Sequence, residues 1–139
     1  TNFNLPTIVS TVSSYETSTG HLNAIMDGVL LTALRTGAAS AVASKYLAKP
    51  DSQIIGLVGC GAQSITQLHA ISRLFDLKKV LIYDIDESAM KSFKERSSLQ
   101  DYDLEILESS IEEIISDSDI VCTATSVEAG SGPLFKNLK

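Results

Sequence analysis

The glycine turn that follows a short apolar run constrains the fold more than any other feature of the sequence. Residues 54–58 form an apolar, largely β-branched run that leads into Gly59-Cys60-Gly61, and a helical pattern follows at once. A buried strand, a glycine turn and a helix N-terminus begin a βαβ unit whose helix N–H groups face a phosphate. Gly59 permits a tight turn with positive φ, and Gly61 lets a phosphate approach the backbone closely. Ser64 replaces the third glycine of the usual pattern and is still small.

The position of a later acid supports a nucleotide site. A GxG sequence alone also fits an ordinary strand-to-helix turn. Residues 78–84, however, form a second apolar strand that ends in Asp84. This acid follows Gly61 at close to the spacing of about 20 residues expected of a carboxylate that binds the adenosine ribose. The sequence therefore predicts a dinucleotide site that uses Gly59, Gly61 and Asp84.

Composition and charge exclude several classes of partner. The chain has 139 residues, 44% of them hydrophobic, which suits one domain with a sizeable core. Its net charge of −6 argues against nucleic-acid binding and against docking on an anionic membrane. No apolar run approaches the roughly 20 residues of a membrane span, and no signal peptide is visible. We therefore expect a cytoplasmic protein with no membrane or nucleic-acid partner.

The cysteines and histidines do not suggest a metal site. Cys60 and Cys122 each lie at the end of an apolar run, where free buried thiols of a cytosolic protein are expected rather than a disulfide or a metal pair. His21 and His69 have no partners at the spacing of metal ligands. We expect no bound metal.

The first part of the chain departs from the dinucleotide pattern. Two β-branched or apolar runs, 7–15 and 23–26, flank a turn signal and predict a β-hairpin. A helix is predicted over 28–47, because Asp27 can cap its start and Pro50 prevents much extension beyond its end. We interpret residues 1–27 as the end of another domain.

Strands and helices alternate in the remainder. This pattern predicts an α/β fold with a doubly wound parallel sheet, the Rossmann architecture. We interpret residues 28–139 as a Rossmann domain truncated at its C-terminus, because only four of the usual six strands are present. Residues 128–132 are expected to be flexible. The predicted strands are 54–58, 80–83, 104–107 and 119–123. The predicted helices are 63–75, 86–99 and 110–116. The helix residues expected to face the core are Ile65, Leu68, Ile71, Leu74, Phe75, Ala89, Met90 and Phe93.

Two further segments carry candidate ligand residues. In this fold ligands bind at the carboxyl ends of the strands, where Thr123 ends the fourth predicted strand and Thr125 comes just after it. A polar loop with no ligand fits the same residues. Arg35 stands among small and apolar residues of the helix 28–47, with no acid within four positions. Its charge needs solvent, a distant acid or an anionic ligand, and we favour the ligand.

Four strings of the sequence together resemble the ornithine cyclodeaminase/mu-crystallin family. They are AIMDGVLLTALRTGAASAVASKYLA, IIGLVGCGAQ, VLIYD and SDIVCTATS, and the resemblance runs from residue 5 to about residue 133. The family includes ornithine cyclodeaminases, some alanine dehydrogenases, ketimine reductases and mu-crystallins. The hairpin before Asp27 resembles the end of the family's substrate and dimerisation domain, which implies a homodimer for the full-length protein.

The resemblance also implies roles for individual residues. Arg35 matches the arginine that grips the substrate carboxylate, and Thr36 matches a cofactor contact. Asp84 matches the ribose-binding acid. The remaining matched cofactor contacts are Ala62, Gln63 and Thr125. The family's catalytic aspartate would lie beyond Lys139, and its substrate lysine before Thr1, so no catalytic residue can be assigned.

The implied function is an NAD(H)-dependent oxidoreductase or cyclodeaminase (lyase) acting on a small amino acid or imine. Our first expectation is conversion of ornithine to proline and ammonia. The alternatives are an alanine dehydrogenase, a ketimine reductase, or a mu-crystallin-like protein that binds ligand without turnover. Asp84 and Asp86 favour NAD over NADP, because a 2′-phosphate would meet two carboxylates. We expect the 139-residue chain alone to be inactive.

Overall fold

The apolar run before the glycine turn forms a central strand of a four-stranded parallel sheet. The computed structural model describes residues 9–99, 103–127, 130, 132, 134 and 135. The predicted α/β architecture is confirmed, with helices on both faces of the sheet. The strands are β1 (Thr11–Tyr15), β2 (Leu22–Asp27), β3 (Ile54–Val58), β4 (Lys79–Tyr83), β5 (Glu105–Glu108) and β6 (Ile120–Thr123). The helices are α1 (Gly28–Leu47), α2 (Ala62–Ser72), α3 (Glu87–Ser98) and α4 (Ile111–Asp117).

The sheet has the strand order β5-β4-β3-β6, and every pair in it is parallel. The chain proceeds outward from β3 to β5 and then returns to the other side of β3 as β6. This reversal creates a switch point between β3 and β6. Ligands of open α/β sheets bind at the carboxyl ends of strands beside such a point.

Two apolar clusters cover the two faces of the sheet. The larger one packs α1, α2 and α3 against one face, with Leu68, Ile71 and Phe93 at its centre. The smaller one places Ile114 of α4 on Val58 of β3 and on Leu81 of β4, on the other face. A Cβ on Gly56 would lie 2.5 Å from Ile114 Cγ2, so α4 packs very close to β3.

The predicted hairpin is confirmed, and so is the helix after it. Strands β1 and β2 pair antiparallel in a separate two-stranded sheet. Asp27 caps α1, because its Oδ1 accepts a hydrogen bond from the Val29 N–H at 2.8 Å. The small residues of α1 let it pack closely on α2. A Cβ on Gly37 would collide with the carbonyl group of Thr66, 2.7 Å from its carbon atom.

One predicted helix ends earlier than expected. We expected a helix over 63–75 with Leu74 in the core, whereas α2 ends at Ser72 and Leu74 is 47% exposed. The N–H groups of Leu74 and Phe75 both donate to the carbonyl oxygen of Ile71, so the chain turns there. The turn directs Phe75 into the core and Leu74 outward. The predicted flexible segment 128–132 lies mostly outside the described residues.

Candidate functional site

The glycine turn after β3 is fixed by both neighbouring strands. Gly59 has φ +95°, the positive value that was predicted. Its N–H donates to the carbonyl oxygen of Tyr83 on β4 at 2.8 Å. A Cβ on Gly59 would lie 2.5 Å from the carbonyl oxygen of Ala124, just after β6. The loops at the ends of β4 and β6 therefore meet at this turn, and only glycine fits between them.

The peptide groups on either side of Cys60 are bonded to side chains. The Cys60 N–H donates to Asp84 Oδ2 at 2.7 Å. The Cys60 carbonyl oxygen accepts from Arg96 Nη2 at 2.8 Å. The Ser64 hydroxyl donates to the carbonyl oxygen of Gly59 and is buried, so the residue in place of the third glycine holds the turn against α2.

The N-terminus of α2 is open to an anion. Gly61 is the N-cap residue and makes no side-chain capping bond. The first N–H groups of a helix have no partner within the helix, and the positive end of the helix dipole lies beside them. A Cβ on Gly61 would have nothing within 4 Å, so this side of the turn faces open space. The arrangement is suited to a phosphate group.

Asp84 anchors the turn and keeps capacity for a ligand. Its Oδ2 accepts from the Cys60 N–H, and its Oδ1 accepts from the Asp86 N–H at 3.0 Å. A carboxylate offers about four acceptor sites, so these two bonds leave room for ribose hydroxyls. Asp86 caps α3, and its bonds from Ser88 hold the pKa of the Asp86 carboxyl below its usual value. The Asp86 carboxylate therefore places negative charge beside the turn at neutral pH.

A cavity of about 340 Å³ lies at the carboxyl ends of β3, β4 and β6. It brings together four of the predicted site residues, and Asp86 lies beside them. Ile85 is 92% exposed at its rim, and Val127 is 64% exposed. The predicted site residues that line the cavity are Gly59, Gly61, Asp84 and Thr125.

The other predicted site residues lie outside this cavity. Thr123 lines a separate cavity of about 380 Å³ together with Gln67 of α2. Ala62 and Gln63 form the first turn of α2. Arg35 is exposed on α1, while Thr36 is half-buried and its hydroxyl donates to the Thr32 carbonyl oxygen at 2.8 Å.

A larger cavity, of about 850 Å³, lies at the wrong end of the sheet for the predicted chemistry. Its lining includes Leu77 and Lys78, just before β4, and Leu104, just before β5. These are the amino ends of parallel strands, whereas ligands of such sheets bind at the carboxyl ends. Size alone therefore does not identify the nucleotide site.

Both cysteines are free, and Cys60 is buried as predicted, whereas Cys122 is only half-buried. Burial raises the pKa of the Cys60 thiol to about 12 and that of the Cys122 thiol to about 11. Neither thiol is a nucleophile at neutral pH, because only the thiolate reacts. In the described part of the chain, no cluster of three metal-ligating side chains is found. None of the described helices has the length and hydropathy needed to cross a membrane.

Arg96 was not predicted to belong to the site. It lies near the end of α3, far along the chain from the turn that it contacts. The sequence around it, KERSS, has the pattern of a solvated helix end. Only the packing of α3 beside β4 brings the guanidinium to the Cys60 carbonyl, so no local signal could have identified it.

Comparisons with known proteins agree with this geometry. The sequence model of the ornithine cyclodeaminase/mu-crystallin family matches residues 1–138. An L-lysine cyclodeaminase of Streptomyces rapamycinicus is 42% identical over 132 residues, which are 95% of this chain and 38% of that protein.

Solved structures of the same kinds of enzyme also match this chain. The structure of a lysine cyclodeaminase superposes on this chain with a TM-score of 0.88 and 47% sequence identity. The match covers 99% of this chain and 39% of that chain. That structure describes the recognition of L-lysine, L-ornithine and L-2,4-diaminobutyric acid. An archaeal alanine dehydrogenase dimer with bound NAD gives a TM-score of 0.81 and 36% identity, over 89% of this chain and 38% of that chain. The chain thus spans just under two fifths of the length of these relatives. With the family model covering nearly every residue, the chain belongs to the ornithine cyclodeaminase/mu-crystallin family.

Proposed function

We propose that this chain binds NAD(H), and that the protein to which it belongs is an NAD(H)-dependent enzyme acting on a small amino acid or imine. The observation that carries the proposal is the cavity in which Gly59, Gly61 and Asp84 meet at the switch point of the sheet. The open α2 N-terminus would receive the pyrophosphate, and Asp84 the adenosine ribose. The bound cofactor would accept a hydride from the substrate carbon and return it.

The most specific form of the proposal is cyclodeamination of a diamino acid. We propose ornithine as the substrate, and the similarity to a lysine cyclodeaminase that recognises both lysine and ornithine supports this class. Arg35 would hold the substrate carboxylate, because a planar guanidinium can bind it with two parallel hydrogen bonds. Alanine dehydrogenase or ketimine reductase activity, or ligand binding without turnover, are the alternatives within the same family.

The setting of the enzyme is also a proposal. We place residues 1–27 at the end of a second domain and residues 28–139 in the cofactor domain. The exposed apolar residues Val12, Ile25 and Met26 of the hairpin support burial against further protein, and we propose a homodimer. The similarity to an alanine dehydrogenase dimer is in accord with this. The two free thiols support a cytoplasmic location.

Titration of the chain with NADH and with NADPH tests the cofactor site. We expect NADH to bind more tightly, because Asp84 and Asp86 repel a 2′-phosphate. Asp84→Asn retains an acceptor for the Cys60 N–H but loses the charge, so it should weaken NADH binding and reduce the preference over NADPH. Asp51→Asn, in an exposed turn, is the matched control and should change neither affinity. Equal or tighter binding of NADPH by the unaltered chain would contradict the proposed preference.

A further inference from the structure

Arg96 connects α3 to the glycine turn through two hydrogen bonds to backbone carbonyls. Its Nε donates to the Ser92 carbonyl oxygen at 3.1 Å, within α3. Its Nη2 donates to the Cys60 carbonyl oxygen at 2.8 Å. The side chain is half-buried, and the first of these bonds fixes the guanidinium so that the second is directed at the turn. Arg96 is therefore held in place to contact the turn.

The bond from Arg96 determines which way the next N–H points. In a trans peptide the carbonyl and the N–H point in opposite directions. The Cys60 carbonyl is directed toward Arg96, so the N–H of Gly61 is directed away from α3. The preceding peptide is fixed in the same way, because the Cys60 N–H donates to Asp84 and the Gly59 carbonyl accepts from Ser64. Each of the two peptide groups of the turn therefore has at least one polar atom held by a hydrogen bond.

We propose that Arg96 is a positioning residue for the cofactor. By holding the Cys60 carbonyl, it keeps the Gly61 N–H and the α2 N-terminus oriented to receive the pyrophosphate. This inference rests on the proposed NAD(H) binding and adds a residue to that site. Because glycine at position 61 restricts its own backbone little, the turn needs such an external bond to stay in one orientation.

A direct role for Arg96 as a phosphate ligand fits the structure less well. An arginine near the ribose-binding acid can accommodate the 2′-phosphate of NADP. Here Nε and Nη2 are both directed at carbonyl oxygens, and Asp84 and Asp86 place two carboxylates beside the turn. The two roles predict different results for the two cofactors. Positioning affects NADH and NADPH alike, whereas a 2′-phosphate ligand affects NADPH alone.

Arg96→Met tests the inference, because it retains much of the aliphatic stem and removes every donor. We expect its affinity for NADH and for NADPH to fall by similar factors, each at least about tenfold. Arg73→Met, an exposed arginine at the end of α2, is the matched control and should bind as the unaltered chain does. Unchanged NADH affinity in Arg96→Met, or a loss confined to NADPH, would overturn the inference.

Amide NMR spectra provide a measurement that general destabilisation does not mimic. The ¹⁵N shift of the Gly61 amide responds to the hydrogen bond accepted by the preceding Cys60 carbonyl. In the folded Arg96→Met chain we expect this amide to shift strongly, while amides of β4 stay in place. Should that variant fail to fold, the Nη2–H protons of Arg96, which make the bond to the Cys60 carbonyl, are observed in the unaltered chain instead. Slow solvent exchange there, relative to Arg73, supports the bond, and equally fast exchange overturns it.

The two proposals fail in different ways. If the unaltered chain binds neither cofactor, the proposed function fails, and the NMR result still decides whether Arg96 holds the turn. If the unaltered chain binds NADH and Arg96→Met binds it equally well, the positioning role alone is wrong.

Discussion

Gly59 and Gly61 flank the same cysteine but have different surroundings. Gly59 needs positive φ and lies against Ala124, whereas Gly61 has φ −75° and open space where a Cβ would project. We expect Gly61→Val to change the free energy of unfolding by less than about 1 kcal/mol, because no atom is displaced. NADH affinity should nevertheless fall by more than about tenfold, since the side chain would occupy the pyrophosphate position.

Gly59→Ala is the companion variant, and we expect it to lower the free energy of unfolding more than Gly61→Val does. Its Cβ is strained by positive φ and collides with the Ala124 carbonyl, so unfolding free energy should fall by at least about 1 kcal/mol. Urea unfolding and NADH titration of both variants are the measurements. Undiminished NADH binding by Gly61→Val would show that the phosphate does not lie at this turn.

Single residues also show how far the sequence could predict the site. The placement of Gly59 and Asp84 together at the turn could be predicted, because turn geometry and the spacing of a βαβ unit leave a local signature, while their binding roles stay predictions. The bonds from Asp84 to the turn, and the contact from Arg96, join residues that only the folded sheet brings together. Asp119 is a similar case, since its carboxylate accepts from the Gln53 and Ile54 N–H groups at the start of β3. Its sequence position marks only the start of a strand.

At the scale of elements, the contact between α1 and α2 depends on Gly37. In an unpacked helix, replacing glycine with alanine stabilises by roughly 0.5–1 kcal/mol. Here the added Cβ would meet the Thr66 carbonyl on α2, so we expect Gly37→Ala to destabilise the chain by about 1–3 kcal/mol. The sign of the change in urea unfolding is the decisive observation.

Ala39→Gly is the control for that measurement, because Ala39 is exposed on the same helix. It should cost roughly 0.5–1 kcal/mol, the ordinary preference for alanine over glycine in a helix. If Gly37→Ala instead raises the free energy of unfolding by a comparable amount, α1 does not need to approach α2 this closely.

Elements were predicted well where a pattern was long and closed by a cap. Helix α1 was expected from Gly28 to Leu47 and has those bounds, because Asp27 and Pro50 limit it. Helix α2 was overextended by three residues (75 against 72), since the apolar period continues through Leu74 and Phe75 while the backbone has already turned. Periodicity reports which residues are apolar, and it does not report where the chain leaves the helix.

The stability of the whole molecule should fall in alkali because of its two thiols. Burial raises the pKa of Cys60 to about 12 and of Cys122 to about 11, from an ordinary value of 9.0. Above pH 9 the unfolded chain therefore loses thiol protons that the folded chain retains, so unfolding becomes more favourable. Each thiol should cost about 1.4 kcal/mol of unfolding free energy by pH 10.

Urea unfolding in reducing buffer from pH 7 to pH 10, with the double variant Cys60→Ala, Cys122→Ala alongside, measures this cost. The variant should have a lower unfolding free energy at pH 7 and a shallower decline with pH, because its thiols are absent. Parallel pH curves for the two chains would show that the thiols titrate alike in the folded and unfolded states.

Catalysis should require more of the protein than these 139 residues. Among the residues that the structure describes, none is identified as a general acid or base for chemistry at the substrate carbon, and such chemistry needs a positioned proton acceptor. We expect the chain to bind NADH and to turn over no amino acid, while the full-length protein does. Within that protein, Arg35→Lys should reduce kcat/KM by about 100-fold or more, because an ammonium cannot make a bidentate bond to the carboxylate.

Assays of ornithine, lysine, alanine and cyclic imines with both proteins check this expectation. Lys45→Arg, on the exposed C-terminal turn of α1, is the control and should keep the rate unchanged. Turnover by the 139-residue chain, or ordinary kinetics of the Arg35→Lys enzyme, would place the chemistry elsewhere. NADH binding without turnover by the full-length protein would favour the binding-only alternative.

The return of the chain from β5 to β6 has a consequence for the order of folding. Ile54 and Asp119, at the starts of β3 and β6, are bonded although they are 65 residues apart in the chain. Contacts at such separation form slowly, because a long loop must close first. Ala124 lies against Gly59 only after β6 has joined β3. During synthesis the phosphate site at the glycine turn therefore cannot be completed until residue 124 has left the ribosome. A nascent chain that ends before β6 should have three strands of the sheet, β3, β4 and β5, but no cofactor site.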